Sequence, residues 1–129
     1  MNRIIPVALL ALSLSTPALS IPVSAHHGNA VYDTTKTVSV TGAVTRWQLI
    51  NPHAGLWIEL KTASGAMEVW SGEFGGVLDL YRSLKWNKET FKPGDRVTLI
   101  GNPARNGSTA MLARKVILAD GKEVDLEGT

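Results

Sequence analysis

The chain has 129 residues, 44% of them hydrophobic, and a formal net charge of +2. That length fits one domain and leaves little room for two. The absence of cysteine excludes disulfides, thiolate metal sites and a cysteine nucleophile. No basic tract interleaved with aromatics is present, so the electrostatic footprint of a nucleic-acid binder is missing.

In chain order, Arg3 supplies a short positive start and Ile4 to Leu14 is an almost wholly apolar run, too short for a bilayer span of ~20 residues. Small residues follow, which is the pattern of a signal peptide. Residues 1–25 are assigned to it, and no stable membrane anchor is expected after its removal. Cleavage after Ser20 and cleavage after Ala25 compete, since both have small residues at −3 and −1. The leader carries Arg3 and no acid, so the mature part has a net charge of about +1. Residues 26–36 are polar and without periodicity, and are expected to form an extended arm. Residues 37–129 form the domain.

Val38, Val40 and Val44 alternate with Ser39, Thr41 and Thr45, which predicts a first strand over 37–49. Gly42 is expected to mark a bulge or bend in it. Asn51-Pro52-His53 reads as a turn. Leu56, Ile58 and Leu60 predict a second strand, and Ser64-Gly65 a tight connection to a third around Met67 to Trp70. Val77, Leu80, Tyr81 and Leu84 stand at i, i+3, i+4 and i+7, which predicts a short helix over 75–84 with one apolar stripe. Lys92-Pro93-Gly94-Asp95 suits a type II turn. Val97 to Ile100 is a fourth strand, Asn106-Gly107 a hairpin signal, Met111 to Leu118 a fifth strand, and Lys122 to Leu126 a short tail strand. The order β-β-β-α-β-β with a long bent first strand predicts an all-β domain with one short helix, a small OB-fold-like barrel. An α+β sandwich is the alternative.

Several of these pieces recur together in a family of small exported bacterial proteins of unassigned function, which the chain resembles. They are Ala25-His26-His27, Val38 to Val44 with Thr41-Gly42 inside it, Asn51-Pro52-His53, Phe91 to Thr98 around Lys92-Pro93-Gly94-Asp95, and Asp120-Gly121. The sequence departs from that pattern at Gly28-Asn29 and at Lys85-Trp86. The resemblance implies export to the periplasm or beyond, an OB-like domain and cleavage after Ala25. It brings no established activity.

The three histidines fall in two motifs, His26-His27 and His53. Taken singly, the pair reads as a solvated terminus and His53 as a turn residue. Taken together they form a nitrogen donor set suited to Cu(II). Cleavage after Ala25 would add an α-amine at His26, in a brace-like arrangement with His53 and His27. Copper is the expected ion. Glu73 reads first as an acid stabilising the helix N-terminus and second as a further ligand. Trp57 and Trp70 lie off the Leu/Ile/Val face of adjacent strands. They read first as a second small core under the helix or arm, and second as an aromatic platform for a ligand or partner. No catalytic motif is found. The leading expectation is a non-enzymatic periplasmic binding module holding copper. The alternative is a metal-free interaction or ligand-binding domain using the tryptophans, with a periplasmic protein or small molecule as partner.

Overall fold

The computed structural model of the protein describes residues 29–127. The leader, both cleavage points, His26 and His27 lie outside the described residues. Among those described, no helix is long and apolar enough to cross a membrane.

Six strands and one helix follow one another: β1 (Val38–Gln48), β2 (Gly55–Lys61), β3 (Met67–Glu73), α1 (Val77–Leu84), β4 (Arg96–Pro103), β5 (Ala110–Ile117) and β6 (Glu123–Asp125). The sheet order is β3-β2-β1-β4-β5-β6, and β3 also pairs with β5. That last pairing is parallel, Ser71 to Ala110 through Glu73 to Leu112, and it closes five strands into a barrel. Strand β1 serves two partners. Val38 to Ala43 pair with β4, and Ala43 to Gln48 pair with β2. A closed five-stranded barrel with a long shared first strand and a helix between β3 and β4 is the OB fold. β6 extends β5 outside the ring, pairing Val124 with Val116.

The turns follow from backbone chemistry. Gly94 has φ 94° and Asp95 N–H donates to Lys92 O at 3.0 Å, closing the Pro-Gly turn. Gly107, at φ 78°, completes the β4–β5 hairpin. Both angles are costly for any residue with a Cβ.

The core is the inner face of the barrel. Val44, Leu56, Ile58, Leu99, Met111 and Val116 are almost fully buried. One end is plugged by aromatics. Trp47, Phe74, Trp86 and Phe91 meet edge-to-face at centroid separations of 5.0–5.9 Å, a geometry that adds to the stabilisation from area alone. Leu80 of α1 joins this core.

The structure corrects several local expectations. The register shift in β1 lies between Val44 and Arg46, not at Gly42. Gly42 is needed for another reason: a Cβ there would sit 2.5 Å from the carbonyl oxygen of Glu59. The helix begins at Val77, after an extended Gly76. Its stripe is narrower than periodicity implied, because Tyr81 is 55% exposed while Leu80 is fully buried. The tail strand is three residues long. The described part of the arm is docked rather than extended. Asn29–Val31 is a 3-10 turn, and Tyr32 is buried and bridges Ala104. Asp33 N–H donates to Pro103 O at 2.8 Å, and Asn102 Nδ2 donates to Lys36 O at 2.8 Å.

Candidate functional site

The β1–β2 connection (residues 49–54) carries Asn51-Pro52-His53, with a cis peptide bond at Asn51–Pro52. The β2–β3 ladder decides where His53 sits. Gly55 pairs with Glu73 at its last position. Two further backbone bonds carry the pairing beyond the strands: Phe74 N–H donates to Ala54 O at 2.9 Å, and Ala54 N–H to Gly75 O at 3.2 Å. This brings residue 53 alongside residue 73. Buried Phe74 and Ala54 fix the underside.

His53 Nδ1 lies 2.6 Å from Glu73 Oε1. Two acceptors would repel at that distance, so Nδ1 carries the proton and Nε2 keeps the lone pair. The other carboxylate oxygen of Glu73 accepts a hydrogen bond from the Tyr32 hydroxyl, also at 2.6 Å. Burial, then the hydrogen bond and negative charge of Glu73, push the Tyr32 phenol well above its ordinary range. The phenol is therefore held as a donor. His53 has no second polar partner among the described residues, and its side chain is 45% exposed.

The three residues open onto a cleft of about 290 Å³, walled by Ile50, Pro52 and Trp57. Trp57 is pinned on one face by Arg46, whose guanidinium carbon is 3.6 Å from the ring centroid. Its other neighbour is Gly55, where a Cβ would lie 2.6 Å from the indole. The ring can lie along the strand only because position 55 lacks a side chain.

Of the residues singled out in the sequence, His53 and Glu73 are brought together. The first reading of Glu73 is overturned. It closes β3 and faces Tyr32 and His53, whereas the first-turn acid of the helix is Asp79. Trp57 and Trp70 are not brought together. Trp57 stands opposite Ser71 and Trp70 opposite Ile58. Cross-strand partners share a face and neighbours alternate, so the two indoles lie on opposite faces of the hairpin. Trp70 packs against the core and donates its indole N–H to Glu68 at 2.6 Å. It cannot share a platform with Trp57. Tyr32 was missed. Its signal was the apolar pair Val31-Tyr32 inside an otherwise polar segment. Among the described residues, no three His, Cys, Asp or Glu side chains gather as a metal site.

The chain belongs to the family of unknown function DUF6152, which matches residues 14–113. No curated protein matches it. It is similar to the mitochondrial single-stranded DNA-binding protein Rim1 of S. cerevisiae, with 10% identity, coverage of 64% of this chain and 92% of that one, and a TM-score of 0.49. The fold assignment rests instead on the strand order and the β3–β5 closure described above.

Proposed function

We propose that this member of the family is an exported binding module that holds a copper ion through His53 together with His26 and His27. The observation that carries the reading is the chain Tyr32–Glu73–His53. A carboxylate on one imidazole nitrogen, itself held by a further donor, is the arrangement that orients metal-ligating histidines and raises their basicity. It presents the lone pair of Nε2, and the side chain is open enough to accept an ion.

A single imidazole does not hold copper, so the remaining donors come from the N-terminal segment. Tyr32 already stands at the site. From there His26 is six residues upstream, a reach of up to ~20 Å. Cleavage after Ala25 makes His26 the first residue, with an α-amine of ordinary pKa ~7.7–8 that a metal readily deprotonates. An amine and two or three imidazoles form the nitrogen-rich set that Cu(II) favours. The leader supports delivery to an oxidising compartment outside the cytoplasm.

The metal-free alternative now rests on Trp57 alone, with the apolar walls of the cleft beside it. One experiment separates the two. The protein is produced with its own leader, its N-terminus is read by intact mass, and Cu(II) is titrated into wild type and His53→Ala. The copper reading requires a chain starting at His26 and a large loss of affinity in His53→Ala. A chain starting at Ile21, or equal binding by the two proteins, overturns it.

A further inference from the structure

We infer that Tyr32 is a positioning residue that couples the docking of residues 31–36 to metal binding at His53. The inference rests on the copper reading above and deepens it.

Glu73 has two carboxylate oxygens and each has one partner, Oε2 with the Tyr32 hydroxyl and Oε1 with His53 Nδ1. Fixing one oxygen fixes the plane of the carboxylate, and so the direction in which the other points. The Tyr32 side chain therefore acts on His53 without touching it.

The backbone of Tyr32 belongs to a strap across the far ends of β4 and β5. Arg105 N–H donates to Val31 O at 2.9 Å, Asp33 N–H donates to Pro103 O at 2.8 Å, and Tyr32 bridges Ala104 between them. Asp33 adds ion pairs to Lys36 at 3.2 Å and Arg105 at 3.9 Å. The phenol is thus the only side chain described that joins this strap to Glu73. When the strap is docked, the carboxylate is held toward the imidazole. When it lifts, Glu73 is free to rotate and His53 loses its orienting partner.

Coupling of this kind is reciprocal. A metal on Nε2 makes the Nδ1 proton more acidic and strengthens its attraction to Oε1, which in turn favours the docked phenol. Copper should therefore slow amide exchange at Asp33 and Arg105, the two amides whose hydrogen bonds hold the strap. The strap is also the start of the chain that leads back to His27 and His26, so direct ligation by those residues would slow the same amides. Tyr32→Phe distinguishes the two routes, because it removes one oxygen atom and keeps the ring.

The experiment measures Cu(II) affinity by chelator competition, and amide exchange at Asp33 and Arg105 with and without Cu(II), in wild type and Tyr32→Phe. The expected result is an affinity about tenfold weaker in Tyr32→Phe, within the range for outer-shell partners of metal ligands, and a smaller copper-induced slowing at both amides. The neutral tautomer of His53, read from imidazole ¹⁵N shifts in the metal-free proteins, should be mainly Nδ1–H in wild type and mixed in the variant. A purely structural role for Tyr32 would leave that tautomer unmoved. Failure of wild type to bind copper sinks the copper reading itself. Binding by wild type with equal affinity and equal protection in Tyr32→Phe leaves that reading standing and overturns the coupling. Absence of copper-induced protection in wild type overturns the coupling without any variant.

Discussion

Replacing Glu73 by Gln alters one proton donor and little else. The side chain keeps its length, and its position at the end of β3 is set by backbone pairing with Gly55. The amide oxygen can still accept from the Tyr32 hydroxyl, which is 2.6 Å away in wild type. That choice turns the amide NH₂ toward His53 Nδ1, where wild type has an acceptor at 2.6 Å. Two donors cannot face each other, so the imidazole takes the other tautomer, with the proton on Nε2 and the lone pair on Nδ1. Both hydrogen bonds survive and the fold should lose less than about 1 kcal/mol. A metal must now displace a proton from Nε2, and the orienting carboxylate is gone. Copper affinity should drop by about 10–100-fold. Chelator competition reads the affinity, thermal melting the stability, and ¹⁵N shifts the tautomer. If Glu73→Gln binds copper as wild type does while its imidazole has changed tautomer, the role given to the carboxylate is refuted.

Other perturbations probe the frame that holds the site. Phe74→Ala removes a fully buried ring in edge-to-face contact with Trp47 and Trp86; it should cost about 3–5 kcal/mol and lower the melting temperature by more than about 12 °C, and a drop of only a few degrees would show that the plug is not part of the core. Gly101→Ala places a Cβ 2.1 Å from the carbonyl oxygen of Leu112, at a register shift between β4 and β5. Because backbone must move, a loss of about 3 kcal/mol is expected in urea unfolding, and a neutral result would refute that close approach. Hydrogen bonds from Thr35, then the Lys36 ammonium, hold the Asp33 carboxyl down at about 2, below the ordinary ~3.9. A depressed folded value stabilises the protein above the unfolded pKa and is lost as pH falls through about 2. The urea midpoint of Asp33→Asn should therefore lie below that of wild type at pH 5 and converge with it near pH 2; equal midpoints at pH 5 would contradict this.

Much of the barrel was legible because its signals are local. Alternating valines marked β1, and Pro93-Gly94 and Asn106-Gly107 marked turns whose glycines do take positive φ. The order of strands around one helix then left few closed arrangements. The site was harder to read because its contacts depend on register. Nothing near His53 in the sequence says that Gly55 will pair with Glu73, and a shift of one residue would turn Glu73 to the other face. The same dependence misled the reading of Trp57 and Trp70, whose strands were identified but whose faces follow from Ile58 standing opposite Trp70. Tyr32 was hidden by the polar company of its segment. Its burial comes from residues 73 positions or fewer downstream, at Ala104 and Glu73, and no periodicity records such contacts.

The central claim is that His53 ligates copper through Nε2. Electron paramagnetic resonance of the leader-processed protein with one equivalent of Cu(II) tests it most directly, through the nitrogen couplings of the bound ion. The account predicts a tetragonal Cu(II) signal with imidazole couplings, one of which disappears in His53→Ala. An identical spectrum in His53→Ala, or a signal of unbound aqueous copper in wild type, would contradict it.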